Sequence, residues 1–256
     1  MKIDLNSDLG ESWGEYAKGE DNDVLKIITS ANIACGYHAG DPMVMTKTVE
    51  TAIENNVSIG AHPSFMDLQG FGRRRVTGDS MIELERQIAY QIGALQGIAA
   101  TRNASVSHVK CHGALGNIVA EDEETANAVA KAVKSVDPNL ILVVMPGMAI
   151  ERAADRFSLR RAKEIYADRN YQDNGNLVPR SEPEAIIHDP EKAAKRVIKM
   201  LNEKTITAVS GRKIGIEVDS ICVHGDNPAA VIMAKRIRES IINNGFKLCS
   251  FNEFVD

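Results

Sequence analysis

The chain has 256 residues, of which 44% are apolar and 25% charged, with a formal net charge of −5. That length supports one large buried core, as barrels of alternating strands and helices have. The mild acidity argues against nucleic acid or an anionic membrane surface as a partner, because both attract basic patches.

Strands and helices alternate along the whole sequence. Ile3–Asn6 reads as a strand, followed by a helical stretch near Asp23–Ser30 and a second strand at Ile33–Cys35. Asp41-Pro42 opens a helix that runs to about Asn55, since Asp caps free N–H groups and Pro suits the first helical position. Ser58–Ala61 is the third strand, and Ser80-Met81-Ile82-Glu83 forms a capping box before a long helix ending near Ala100. Val106–Cys111 is a strand, Asp122–Val136 a helix, Leu140–Met145 a buried strand, Met148–Arg156 a short helix and Glu164–Ala167 a strand. An irregular stretch, Asp168–Pro183, follows. Asp189-Pro190 opens a helix to about Glu203, and Thr205–Val209 pairs with Lys213–Val218 as a hairpin around Ser210-Gly211-Arg212. Ser220–Val223 is the last clear strand. Asn227-Pro228 opens the final helix, which stops at Gly245, and Phe246–Phe251 reads as a closing strand. About seven β/α units result, centred near Asp4, Ala34, Ile59, Val109, Val143, Tyr166 and Cys222. The expected fold is α/β, a single irregular seven-stranded parallel barrel over residues 1–256, with an open doubly wound sheet as the alternative.

Four cysteines, Cys35, Cys111, Cys222 and Cys249, form no Cys-x-x-Cys pair, so neither a structural zinc knot nor a disulfide framework is expected. Met1–Asp8 carries acids at once, unlike a secretory leader. The longest apolar run, Leu140–Met145, is far short of the ~20 residues of a membrane helix. The expected compartment is cytoplasmic.

Five of the six histidines, His38, His62, His108, His112 and His224, lie in or just after the apolar runs, and only His188 lies elsewhere. Strand C-termini in such folds share one crevice, so these segments predict one composite active site. His108, Lys110 and His112 alternate along one strand and share a face. Burial near other cations would lower the Lys110 pKa and let it act as an acid or hold an oxyanion. Asp8 and Glu11 follow the first strand, where paired carboxylates can divide acid and base roles. Capping is the alternative role for Asp8 and Asp41. His and Asp together suit a divalent metal, with Asp8, His38 and His62 as candidate ligands. Gly70-Phe71-Gly72-Arg73-Arg74-Arg75 is a flexible loop with arginines that suit a carboxylate. Asp168-Arg169 and Arg180 belong to a stretch long enough to cover a site. No phosphate-binding Gly-rich loop and no Gly-x-Ser-x-Gly elbow is present.

Asp4-Leu5-Asn6-Ser7-Asp8-Leu9-Gly10-Glu11, Ala31–Pro42, Gly60-Ala61-His62-Pro63-Ser64, Gly70–Arg74, His108-Val109-Lys110, His112-Gly113-Ala114-Leu115, Ala167-Asp168-Arg169 and His224-Gly225-Asp226-Asn227-Pro228 together resemble the LamB/YcsF family. Two positions depart from its usual pattern: Cys111 stands where Pro is usual, and Gly116 where Tyr is. The resemblance implies a seven-stranded barrel like those of glycoside hydrolases and polysaccharide deacetylases. It also implies ATP-dependent opening of 5-oxo-L-proline to L-glutamate, with ATP and Mg2+ and with partner subunits B and C. Site residues then fall into two groups. Asp8, Glu11, His62, Lys110 and His112 are expected to be catalytic. Asn6, Asn32, His38, Asp41, Arg73, Asp168, Arg169, His224 and Asp226 are expected to bind substrate. The rival expectations are a metal-dependent deacetylase or amidohydrolase and a non-catalytic lactam-binding subunit.

Overall fold

A computed structural model describes residues 1–255. Seven parallel strands close into a barrel: β1 (Lys2–Leu9), β2 (Ser30–Ala34), β3 (Ser58–His62), β4 (Val106–Val109), β5 (Ile141–Val144), β6 (Arg160–Tyr166) and β9 (Ser220–Cys222). Closure comes from β9 beside β1, with Asp4 opposite Ser220 and Asn6 opposite Cys222. The short strands β7 (Thr205–Thr207) and β8 (Lys213–Gly215) form the expected antiparallel hairpin outside the barrel.

Helices α1 (Asp21–Val24), α2 (Pro42–Glu54), α3 (Met81–Ala100), α4 (Gly113–Glu121), α5 (Glu123–Val136), α6 (Ala149–Arg156), α7 (Pro190–Glu203) and α8 (Pro228–Asn243) follow the strands. Their starts obey the capping chemistry. Asp41 accepts from the N–H groups of Met43 and Val44 at 2.8 and 3.1 Å. The Ser80–Glu83 box forms in both directions, and Asp189 and Asn227 cap α7 and α8. Among the described residues no helix is long and apolar enough to cross a membrane.

Four expectations need correction. The first helix covers only Asp21–Val24, because Ser30 already begins β2, where its hydroxyl bonds Asp4 inside the barrel. Helix α4 is absent from the sequence pattern because glycines at 113 and 116 interrupt it; Gly113 takes φ +57° at its first position. Strand β6 begins at Arg160 rather than Glu164, since Arg161 and Lys163 turn outward to Glu151. Only Lys247–Leu248 of the expected last strand pairs, alongside Lys2 and Ile3 as β10. Beyond it a 3-10 turn, Phe251–Glu253, drives Phe251 into the barrel floor.

Alternation along β1 separates two environments. Ile3, Leu5 and Leu9 face the helices and are fully buried there, while Asp4, Asn6 and Asp8 face the lumen. The lumen is layered. At its base Ile141, Val143, Ala162 and Phe251 form a small apolar plug, and Phe251 meets the His108 ring edge-on at 4.7 Å. Beside the plug, Asp4 accepts hydroxyls of Thr29 and Ser30, both at 2.6 Å, and of Ser220. Burial pushes its carboxyl up to about 6 despite those bonds. Gly60 is required where it stands, because a Cβ there would lie 2.0 Å from His108 Nε2. Phe251→Ala removes the largest side chain of the plug and is expected to cost about 3–5 kcal/mol, measured as the loss of unfolding free energy in denaturant. A loss under about 1 kcal/mol would mean the floor collapses to fill the void.

Candidate active site

Above the plug, the C-terminal ends of the strands open into a cavity of about 520 Å3. Lys110 stands at its centre, 3% exposed. Its Nζ donates to Asp8 Oδ1 at 3.0 Å, Asn6 Oδ1 at 3.2 Å and Cys222 Sγ at 3.1 Å, and is ion-paired with Glu164 Oε1 at 2.9 Å. Burial alone would favour the neutral amine, yet the Asp8 and Glu164 carboxylates, with the Cys222 sulfur beside them, outweigh it and lift the ammonium well above the ordinary lysine range. This corrects the expectation of a lowered pKa: Lys110 is a fixed cation, because two carboxylates face it rather than other cations.

Asp8 ends β1. Its Oδ1 also accepts from Asn32 Nδ2 at 2.9 Å, and its Oδ2 lies 3.3 Å from His62 Nε2. Burial raises its pKa, but His62 and Lys110 outweigh that and hold the carboxyl well below the usual range. Glu11 sits beyond the strand, 3.3 Å from His112 Nδ1 and 3.6 Å from His38 Nε2. Burial raises its carboxyl from the ordinary value, against the pull of His112. The two carboxylates therefore lie in different environments, which is the condition for dividing acid and base roles.

The residues expected at one site divide by depth. Asp8, Glu11, Arg73, Lys110, His112, Arg169, His224 and Asp226 border the cavity. Asn6 and Asn32 do not: they lie one layer down, where Asn32 bridges Asn6 and Asp8, and Asn6 bonds Glu164 and Ser220. They orient Lys110 and Asp8 rather than reach the opening. His108 shares that lower layer, donating to Asn32 Oδ1 at 3.0 Å; burial and nearby Lys110 push its pKa down to about 3. His38 and His62 lie behind Glu11 and His112, with His38 stacked on His112 at 3.8 Å. His112 is not part of β4; it precedes α4 as its N-cap residue.

Asp41 is placed away from the cavity, where it caps α2 and accepts from Gly14 N at 2.6 Å. Arg169 reaches the cavity wall, but its guanidinium donates to the carbonyls of Val178 at 2.6 Å and Ala185 at 3.3 Å. It thereby fixes the irregular stretch 168–183, whose residues Gln172 and Asn176–Arg180 form one wall. Of the three loop arginines, Arg74 is paired with Asp67, Arg75 is exposed, and Arg73 alone borders the cavity, 5.1 Å over the Phe71 ring. Phe71 and Gly72 both take positive φ, which folds the loop inward and lets His112 Nε2 donate to Phe71 O at 2.9 Å.

Glu164 and Tyr166 join the site without having been expected there. Their sequence signal is parity: in β6, Ala162, Glu164 and Tyr166 share the lumen face, and a lone acid between apolar neighbours in a strand is unusual. Glu121 of α4 and Asn176 also border the cavity and bond each other at 2.7 Å.

Asp168 lies just outside, accepting from His224 Nδ1 at 2.7 Å. Burial opposes charge on both, yet His224 is raised by Asp168, and Asp168 is lowered by His224 and, more weakly, Arg180. A raised histidine adds stability fully present below its unfolded value of 6.5, lost as pH rises through the higher folded value. A lowered aspartate adds stability present above 3.8, lost as pH falls through the lower folded value. The unfolding free energy of the parent minus that of His224→Gln is therefore expected to be greatest between those two values and to shrink on both sides. A difference that is flat with pH would contradict the pairing.

The sequence matches the LamB/YcsF family model over residues 3–256. The chain belongs to the LamB/YcsF family. A relative from Rhodopseudomonas palustris (strain BisB5), named as the A subunit of 5-oxoprolinase, is 49% identical over 251 residues, which cover 98% of this chain and 99% of that one. A crystal structure called lactam utilization protein, from Thermus thermophilus, superposes with a TM-score of 0.91 at 41% identity, covering 97% of this chain and 99% of that one. A deacetylase designated T48, solved with substrate, aligns with a TM-score of 0.50 at 13% identity, covering 98% of this chain and 88% of that one. That likeness concerns the fold alone and agrees with the expected deacetylase-like barrel. A Cβ on Gly116 would lie 2.9 Å from Cys111 O. A tyrosine at 116 therefore requires the Cys111 backbone to shift.

Proposed function

We propose that this chain is the A subunit of an ATP-dependent 5-oxoprolinase, hydrolysing 5-oxo-L-proline to L-glutamate together with partner subunits B and C. The observation that carries this reading is the 49% identity, over nearly the full length of both chains, to a protein named as the A subunit of 5-oxoprolinase. The cavity is chemically apt: it is larger than a five-membered lactam needs, and it presents one buried ammonium, one ionised carboxylate and peripheral arginines.

A lactam carbonyl is a poor electrophile. In this scheme ATP, with Mg2+, transfers its γ-phosphoryl group to the lactam oxygen, leaving ADP. Water then adds to the ring carbon, and the C–N bond breaks as the nitrogen takes a proton. The acyl phosphate that remains is hydrolysed by a second water to glutamate and phosphate. Asp8 accepts the proton of attacking water. The Lys110 ammonium stabilises negative charge on the carbonyl or phosphoryl oxygen, with His112 at the same wall. Arg73 binds the ring carboxylate.

The test is glutamate release from 5-oxoproline, for the chain alone and with both partners, with and without ATP. Turnover only in the complete ATP-containing mixture supports the proposal. Turnover by the isolated chain without ATP would replace it with a simple amidohydrolase.

A further inference from the structure

Four side chains from four consecutive strand ends converge behind the cavity floor. Glu11 follows β1, His38 follows β2, His62 ends β3 and His112 follows β4. One donor atom from each lies within 4.8 Å of all the others. The individual spacings are 3.0 Å for His62 Nε2 to His112 Nδ1, 3.3 Å for Glu11 Oε1 to His112 Nδ1, and 3.6 Å for Glu11 Oε1 to His38 Nε2. Donors at zinc distances around a tetrahedral ion stand about 3.3 Å apart.

The hydrogen bonds fix which nitrogens are free. His62 Nδ1 faces Lys110 O at 2.7 Å, and His112 Nε2 faces Phe71 O at 2.9 Å. A carbonyl only accepts, so each of these nitrogens carries the proton. When both rings are neutral, as metal binding requires, two lone pairs face each other across 3.0 Å. Imidazoles anchored through their far nitrogen to carbonyls are the usual arrangement around metals. His38 is buried, and neither of its nitrogens has a hydrogen-bond partner among the described residues; nor has Glu11 Oε1. Buried polar atoms left without partners are costly, and a cation at their common point would satisfy Glu11 Oε1 and one His38 nitrogen together once the His38 ring turns out of its stack on His112.

We propose that Glu11, His38, His62 and His112 bind one divalent transition-metal ion of the zinc class. Three imidazoles and one carboxylate suit Zn2+ better than Mg2+ or Ca2+, which prefer oxygen donors. Glu11 and the adjoining Asp8 together supply two negative charges beside it, and Lys110 lies beyond Asp8. With four protein donors the site is closed, and the ion ties four strand ends together beside Asp8. Compared with the sequence expectation, His38 and His62 remain as ligands, while Glu11 and His112 take the place of Asp8.

The proposal is independent of the 5-oxoprolinase reading, because its test uses the full chain alone, without substrate or partners. Chain stripped with chelator is titrated with Zn2+ and Co2+ by calorimetry and visible absorption. Expected are one ion per chain, the intense visible bands of tetrahedral cobalt, and an unfolding midpoint that rises with free Zn2+. Glu11→Gln and His38→Gln each weaken binding by more than about a hundredfold, beyond the loss typical of an outer-shell partner. His188→Gln, at a histidine elsewhere in the chain, binds like the parent. Absence of stoichiometric binding, octahedral cobalt bands, or undiminished binding in the Glu11 and His38 variants would overturn the proposal. If either variant fails to fold, the parent's stoichiometry and cobalt spectrum decide.

Discussion

Lys110→Met is expected to lower the unfolding free energy by about 3–5 kcal/mol, the usual cost of removing one member of a buried charge cluster. The side chain lengths are similar, so the packing loss is small and the electrostatic loss dominates. Asp8 and Glu164 would keep their negative charges inside a barrel that had lost the ammonium 3.0 and 2.9 Å away. Asn6 Oδ1 and Cys222 Sγ would lose a donor as well. Thermal unfolding should show a midpoint lowered by roughly 10 °C for a chain of this size. Glu164→Gln added to Lys110→Met should recover part of the loss, since it removes one stranded charge; a double-mutant cycle measures how much. A single-variant loss below about 1 kcal/mol would mean that water or a proton already neutralises the cluster.

Asp8→Asn is expected to cut ATP-dependent glutamate formation by about 10^2–10^4-fold in the mixture with both partner subunits, the range lost with a general base. The fold should survive, because asparagine has the same shape and Lys110 keeps Glu164 at 2.9 Å. Turnover within about tenfold of the parent would assign the proton transfer elsewhere. Combined with tight 5-oxoproline binding, that result would make this chain a delivery subunit.

The elements most legible in the sequence are those bounded by side-chain chemistry. Asp41-Pro42, Ser80–Glu83, Asp189-Pro190 and Asn227-Pro228 each mark a helix start within a residue, because capping is a local interaction. The poorly legible elements depend on distant partners. Phe251 reads as strand by composition, yet the space beneath His108 turns it into the barrel floor. Arg161 and Lys163 obscure β6 because the acid that pairs with them, Glu151, lies in another element. Within the site, the histidine-bearing strand ends and the acids after β1 are visible as a recurring pattern. What the sequence does not order is depth. Asn6, Asn32 and His108 carry the same residue types as groups at the cavity, and only the strand register places them below it. Glu164 escapes notice because its importance lies in its contact with Lys110, far earlier in the chain.

The alternation along β1 also works as a register lock. Sliding this strand by one residue would turn Asp4, Asn6 and Asp8 into the greasy shell beneath the helices and push Ile3, Leu5 and Leu9 into the polar lumen. Every closure shifted by an odd number of residues is thereby penalised several times over. Replacing the lumen column with aliphatic residues of similar size would erase that penalty. Such a barrel would gain apolar burial and lose the means of telling a correct closure from a shifted one. The groups that make this interior reactive are thus the same groups that make its assembly unambiguous.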